Sequence, residues 1–224
     1  MTKTAAPMTS GSIWKQMTFF AMPIFLGNLF QQLYNTVDSL IVGNFLGSSA
    51  LAAVSSSGSL IFMLIGFLSG ISAGAGVIVA RFFGAGDEKN LQRAVHTTVA
   101  FGLVAGVLMT GVGVALSPQI LRWMDTPESV MRESVTYLQI YFAGSLGFVM
   151  YNVLVGILQA VGDSRHPLYY LIVSSVINLV LDLLFITGFH TGVGGAAVAT
   201  VISQIVSALL CFWQLLRTKE SYGL

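Results

Sequence analysis

Six long apolar stretches, separated by short polar breaks, constrain this chain more than any other feature. A helix that crosses a bilayer core of about 30 Å needs about 20 apolar residues, and each stretch is long enough. The chain is 55% hydrophobic and only 8% charged, against about 25% charged residues in an ordinary soluble domain. The sequence therefore predicts an all-α integral membrane protein with six transmembrane helices. The stretches cover residues 19–42, 51–80, 95–116, 134–161, 168–189 and 195–216.

The distribution of basic residues predicts the orientation of these helices. All but Arg122 and Arg132 of the ten Lys and Arg residues lie on the side of the predicted spans that holds the N-terminus. Loops that are rich in Lys and Arg stay in the cytoplasm, so we expect both chain ends there. The predicted organisation is a cytoplasmic N-terminal segment 1–18, a six-helix transmembrane lobe 19–216 and a cytoplasmic tail 217–224.

Polar residues inside the apolar stretches lie on single helix faces. In the fifth stretch Ser175, Asn178 and Asp182 follow each other at intervals of three or four residues, which places them on one face. The first stretch carries a longer stripe of the same kind. Such faces must contact protein or water, because lipid cannot satisfy their hydrogen bonds. The stripe of the first stretch consists of Asn28, Gln31, Asn35 and Asp38.

Asp38 and Asp182 are carboxylates within otherwise apolar spans. Placing an ionisable side chain at membrane depth costs a few kcal/mol, so its presence there favours a functional role. At 1.5 Å per residue, Asp38, Asn178 and Asp182 lie within about 16 Å of the outer helix ends, and Tyr137 and Thr200 are similarly shallow. We predict that these five residues form a cation or proton site. Hard cations prefer oxygen ligands, so we expect all of them but Tyr137 to be able to bind Na⁺. The alternative is a buried polar network that only fixes helix register.

Other positions are candidates for the substrate path and for bending. Gln31 and Asn35, with aromatic and Met side chains of the first, second and fourth spans, are candidates for a substrate cleft. Pro23 removes a helix hydrogen bond and is either a hinge or a static kink. Glycine at every fourth position of the second span allows close approach of a neighbouring helix. The positions are Gly66, Gly70 and Gly74.

Several short motifs, in order and spread from about residue 15 to residue 216, resemble the MATE (multidrug and toxic compound extrusion) family. Together they cover almost the whole chain. The motifs are QLYNTVD at 32–38, VG at 42–43, LAAVS at 51–55, RFFGAGD at 81–87, LQAVGD at 158–163, NLVLD at 178–182 and GAAVAT at 195–200.

This resemblance implies an antiporter that exports amphipathic organic cations in exchange for H⁺ or Na⁺, in a bacterial cytoplasmic membrane and without another cofactor. The family's functional positions match residues of this chain one by one. The matches are the first-span carboxylate Asp38, the Asn-x-x-x-Asp pair Asn178 and Asp182, the sixth-span Thr200, the fourth-span Tyr137 and the first-span Pro23.

The length of the chain departs from the family pattern. Family members carry twelve spans in two lobes with the drug cleft between them, and this chain resembles the N-terminal lobe. Two copies could pair as a parallel homodimer about an axis along the membrane normal. The other interpretation is a truncated, non-transporting fragment whose C-terminal lobe is missing.

Four other function classes are weaker. A flippase for lipid-linked saccharides would need a cationic cavity, whereas Lys and Arg lie in loops here. An intramembrane aspartyl protease would share a proton between two aspartates, but Val37 and Leu181 precede Asp38 and Asp182 where that family's signature requires other residues. The sequence motifs of other enzyme classes are missing from the chain. Nucleic-acid binding is not supported either, because a net charge of +1 provides no basic surface. A purely structural subunit remains open, and we predict no enzyme activity.

Overall fold

The computed structural model describes residues 12–218 and 222–223, and within them every regular element is helical. The predicted all-α class is confirmed. Residues 1–11 of the predicted N-terminal segment and residues 219–221 and 224 of the predicted tail lie outside the described part. The α-helices are α1 (Ile13–Leu46), α2 (Ser48–Gly84), α3 (Glu88–Trp123), α4 (Glu128–Ala143), α5 (Ser145–Ala160), α6 (Arg165–Leu183) and α7 (Gly192–Arg217).

Four of the described helical segments are long and apolar enough to cross a membrane, and the bent pair α4–α5 makes a fifth. The four are α2, α3, α6 with the turn that follows it, and α7. The first helix does not meet this criterion because its Asn, Gln and Asp side chains lower its hydropathy. The count of six spans and the cytoplasmic placement of both ends therefore stay predictions.

The fourth predicted span, residues 134–161, is not one continuous helix in the structure. It begins earlier, at Glu128, and bends by 50° at Gly144 between α4 and α5. A Cβ atom at Gly144 would overlap the side chain of Val201 on α7, so the close approach of α7 requires glycine there. The Ser145 hydroxyl beyond the bend hydrogen-bonds with that of Thr110 on α3, at 3.0 Å.

Close helix packing occurs along α3 rather than at Gly66, Gly70 and Gly74 of the second span. A Cβ atom at Gly106 would lie 3.0 Å from the backbone of Leu146, and one at Gly113 would overlap the Phe142 ring. By contrast, Cβ atoms at Gly66, Gly70 and Gly74 would meet nothing within 4 Å. The expectation that the second-span glycines bring a described helix close is therefore wrong, because that face of α2 has no described neighbour.

The largest apolar core lies where α3, α5 and α7 pack together with parts of α2. Its members include Leu91, Leu154, Leu158 and Leu215. The first helix contributes little to any core, since only Ile41 and Val42 of its residues are buried. It therefore stands at the edge of the bundle, and a cleft opens beside it. This arrangement positions the polar stripe of α1 on the wall of that cleft.

Candidate functional site

The end of α6 is shaped by a π-helical turn, Leu184–Gly188. Such wide turns occur often at functional sites, because they shift the helical register by one residue. Phe189 N donates to the Leu184 carbonyl at 3.0 Å, and the Thr191 hydroxyl donates to the Phe185 carbonyl at 2.8 Å. The chain then reverses through Gly192, whose φ is +66°, a value that glycine adopts readily. The turn therefore brings the end of α6 beside the start of α7.

Asp38 of α1 and Asp182 of α6 meet across the helix interface. Their carboxyl groups lie close enough to interact with each other, and both residues line one cavity between the two helices. Asp182 is fully buried, whereas Asp38 is half-buried. Oδ1 of each carboxyl group is buried and receives no hydrogen bond from any described donor. Because an ionised carboxylate is only an acceptor, two such groups side by side repel each other, and a shared proton or a bound cation would relieve this repulsion.

Asn178 and Thr200 extend this contact into a chain of polar groups. With the amide in the orientation that satisfies both neighbours, Asn178 Nδ2 donates to Asp182 Oδ2 at 2.8 Å and Asn178 Oδ1 accepts from Thr200 N at 3.1 Å. Asn178 is only 1% exposed. The Thr200 hydroxyl donates to the Ala196 carbonyl at 3.0 Å, which leaves its lone pairs free to accept. The structure thus brings together Asp38, Asn178, Asp182 and Thr200, although their roles stay predictions.

Tyr34 belongs to the same cluster and was missed in the sequence. Its hydroxyl lies near Thr200, and it is close enough to interact electrostatically with both Asp38 and Asp182. Tyr34 precedes Asp38 by one helical turn, so the same periodicity that grouped Gln31 with Asp38 could have found it. A tyrosine in an apolar stretch is easily mistaken for a packing residue.

Tyr137 of α4 lines the cleft. It is 5% exposed and packs in a small apolar cluster with Ile41 and Val193. It is close enough to interact electrostatically with Asp38. The structure therefore places Tyr137 near the carboxyl pair but gives it no described hydrogen bond to that pair.

The cleft has a volume of about 1260 Å³ and is lined by α1, α2, α4, α5, α6 and α7. The substrate candidates Gln31 and Asn35 line it, and so does Pro23, which lies inside the continuous helix α1. Asp38 is the only charged residue among the described residues of its lining, and no methionine is among them, contrary to expectation. Its aromatic residues are Phe20, Tyr34, Phe62, Phe83, Tyr137, Tyr141, Phe148 and Tyr151.

The oxygen atoms of the site fit a small hard cation better than a transition metal. No group of three or more His, Cys, Asp or Glu side chains comes together within residues 12–218 and 222–223. The available donors are two carboxyl groups, one amide and the hydroxyls of Thr200 and Tyr34. Oxygen ligands of this kind suit Na⁺ or a proton.

Known proteins resemble this chain in both sequence and fold. The family model MatE matches residues 23–184. The chain belongs to the MATE family. The Bacillus subtilis (strain 168) protein named "Probable multidrug resistance protein YoeA" is 37% identical over 213 residues, which are 93% of this chain and 46% of the relative. The chain thus spans about half the length of the curated relatives that it matches.

Solved structures of the family show the same helical lobe. One is described as the outward-facing conformation of a multidrug resistance MATE family transporter of the MOP superfamily. It is 27% identical with a TM-score of 0.90, over 99% of this chain and 49% of that chain. A structure described as the inward-facing conformation of such a transporter is 29% identical with a TM-score of 0.80, over 86% and 43%. Both structures are described as multidrug resistance transporters, and this chain corresponds to the N-terminal lobe of the family fold.

Proposed function

We propose that this MATE lobe carries the coupling site of an antiporter that exports amphipathic organic cations in exchange for H⁺ or Na⁺. The observation that carries the proposal is the contact between Asp38 and Asp182, whose Oδ1 atoms have no described donor. A proton or Na⁺ fills this gap. Its arrival or departure changes the charge of the site and biases the packing of α1 against α6 and α7.

The charge of the cleft supports a cationic substrate. Asp38 contributes to its lining, and no described Lys or Arg does so. Aromatic side chains around a carboxylate favour organic cations through both cation–π and ionic attraction. A flippase for lipid-linked saccharides would have to hold a phosphate, and the described lining offers no basic side chain for it. Cation export is therefore the better of the two candidate functions.

The coupling site is tested by measuring ion release when a cation binds. Tetraphenylphosphonium is added to the purified 224-residue chain in weakly buffered detergent, with and without Na⁺. We expect proton release, or competition by Na⁺, in the wild type and neither in Asp38→Asn. Glu133→Gln is the matched control, because Glu133 is exposed at the beginning of α4 and should behave like the wild type. Undiminished release from Asp38→Asn would disprove the site assignment.

The completeness of the lobe needs a separate assay. Uptake of a fluorescent organic cation into proteoliposomes under an imposed proton or Na⁺ gradient tests whether the chain transports by itself. Transport that depends on Asp38 would support a parallel pair of this chain. Ion-coupled binding without transport would support a lobe that works with a C-terminal lobe.

A further inference from the structure

A second, smaller cavity of about 240 Å³ lies between α1 and α6. On α1 it is lined by one helix face that includes Phe30, Leu33 and Val37, and on α6 by the face that includes Val176 and Leu179. Its lining is largely apolar. We call this cavity the α1–α6 groove.

The α1–α6 groove opens on the outer, lipid-facing surface of the bundle. The exposed fractions of its lining side chains are 57% for Leu33, 40% for Val37, 54% for Val176 and 38% for Leu179. Large apolar side chains with such exposure on a membrane-spanning bundle contact lipid tails. A molecule dissolved in the bilayer can therefore enter the groove from the side.

The groove reaches the carboxyl pair by a path that differs from the cleft. Asp182 and Asn178 line the groove but not the cleft, whereas Thr200 and Tyr137 line the cleft but not the groove. Asp38 lines both cavities. Asp38 and Asp182 are the two acidic residues of the groove's described lining, and no described Lys or Arg lines it, so a positive charge beside the groove is attracted to them.

We propose that the α1–α6 groove binds the apolar arm of an amphipathic organic cation that enters from the bilayer, with the charged head beside Asp38 and Asp182. An apolar cavity of about 150 Å³ accepts a benzene ring, so the groove has room for one aromatic ring or a short alkyl chain. Amphipathic cations collect at the membrane interface with their apolar part in the acyl region. A carboxyl pair at membrane depth lowers the cost of bringing their charge further in.

Tyr34 explains how a cation bound in the groove could pass to the cleft. Tyr34 lines both cavities, so it forms part of the wall between them. A rotation of this ring would join the two cavities beside Asp38. The same carboxyl group would then serve a cation on either side, and the two positions would exclude each other. This inference rests on the proposed function, because it uses Asp38 as a cation-binding group.

The groove is tested by filling it in the full 224-residue chain in phosphatidylcholine nanodiscs. The probes are octyltrimethylammonium, which has an apolar arm, and tetramethylammonium, which has none, and binding is measured by calorimetry against empty nanodiscs. Leu179→Trp should weaken binding of the octyl cation about tenfold or more, because displacing two or more methylenes costs that much. It should leave tetramethylammonium binding unchanged, and Asp38→Asn should weaken binding of both cations.

Matched controls separate the groove from a general effect of tryptophan. Val180 and Leu40 are both 57% exposed and do not line the groove, so Val180→Trp and Leu40→Trp should bind as the wild type does. Val37→Trp fills the groove from α1 and should repeat the effect of Leu179→Trp. All four substitutions lie at exposed positions and should leave the fold intact.

Two outcomes would overturn the inference. The first is wild-type binding of the octyl cation by both Leu179→Trp and Val37→Trp. The second is loss of octyl binding in those variants but full retention in Asp38→Asn, which would make the groove a site for lipid tails alone. A chain that binds the octyl cation in the groove but shows no ion release with tetraphenylphosphonium would contradict the proposed antiport and leave the groove site standing.

Discussion

At the scale of single residues, Asp182 shows how a fully buried carboxyl group is held in this lobe. Asn178 donates to its Oδ2, and Asp38 contacts the group from the neighbouring helix. Its Oδ1 has no described donor, and an unsatisfied buried acceptor is costly. A network that served only to fix helix register would be complete without an added proton or ion. The missing donor therefore favours an exchangeable ligand over a static network.

The amide of Asn178 is predicted to be essential for this arrangement. Asn178→Leu removes the described donor to Asp182 Oδ2 and should lower the free energy of unfolding by about 1–3 kcal/mol, the cost of leaving a buried polar group unpaired. Unfolding in SDS, followed by tryptophan fluorescence, measures the change. Ion release on addition of tetraphenylphosphonium should be lost in the same variant.

Asn152→Leu is the matched control for Asn178→Leu. The Asn152 amide donates only to the Phe148 carbonyl of its own helix, at 2.9 Å, and it links no described residues on different helices. Asn152 lines the cleft but lies outside the proposed ion site, so ion release at saturating tetraphenylphosphonium should persist even where the affinity for this cation falls. If Asn178→Leu keeps both its stability and its ion release, Asn178 does not support the carboxyl pair.

Helical periodicity and depth group Asp38, Asn178, Asp182, Thr200 and Tyr137, because polar groups in an apolar span are conspicuous. The first four lie together in the structure and Tyr137 lies nearby, while their role as an ion site stays a prediction. Tyr34 was not found, because aromatic rings are common packing residues in membrane helices. The hydrogen-bond order within the cluster was beyond the sequence, since it depends on how three helices cross.

At the scale of helices, the packing of α3 against α4 depends on a single glycine. A Cβ atom at Gly113 would overlap the Phe142 ring, whereas one at Gly111 would meet nothing within 4 Å. Gly113→Ala should therefore lower the free energy of unfolding by about 1–3 kcal/mol, as overpacking does. Gly111→Ala on the same helix should be neutral or stabilising by up to about 1 kcal/mol. Equal effects of the two substitutions in SDS unfolding would contradict this packing.

The beginning of α3 is capped by a carboxylate outside the membrane. Asp87 accepts hydrogen bonds from Asn90 N at 3.1 Å and from Asn90 Nδ2 at 2.7 Å. These bonds lower the pKa of Asp87 below its usual value, with a smaller contribution from Arg93. The stabilisation is therefore complete above the ordinary carboxyl pKa and is lost as the pH falls through the lowered pKa of the folded state.

Loss of this cap should show as faster hydrogen exchange. Asp87→Ala is expected to speed exchange of the backbone amides in the first turn of α3 at neutral pH, because the Asn90 amide loses its acceptor. Asp87→Asn should exchange more slowly than Asp87→Ala, since an asparagine can still cap the helix. Unchanged exchange in Asp87→Ala would show that the side chain contributes nothing to this end of the helix.

The helix bounds illustrate what a hydropathy pattern can predict. Apolar stretches gave the approximate positions of the helices, because lipid requires apolar side chains over the length of a span. The same pattern could not show the bend at Gly144 or the π-helical turn after α6. Both depend on the fit between neighbouring helices, and the contact of Gly144 with Val201 joins residues far apart in the sequence.

At the scale of the whole molecule, the proposed ion site is built within this chain, whereas the cleft is only partly enclosed by it. The oxygen atoms of the proposed ion site come from α1, α6 and α7 of one chain. The cleft is walled by the same lobe, while α1 and the Gly66–Gly74 face of α2 have few or no described neighbours. A second lobe, or a second copy, would thus add to the cleft without adding to the ion site.

This difference predicts separate effects of a second lobe on ion and substrate affinity. The comparison is between the 224-residue chain and the same chain extended by the second half of its Bacillus subtilis relative. The pH or Na⁺ concentration at the midpoint of ion release should agree between the two chains within about tenfold, because the ion ligands are the same. Affinity for tetraphenylphosphonium should rise in the extended chain, since a second wall buries more of its apolar surface. Calorimetry measures both quantities, and Asp38→Asn in each chain is the control for the site. A large shift of the ion midpoint with no gain in substrate affinity would mean that the second lobe completes the ion site rather than the cleft.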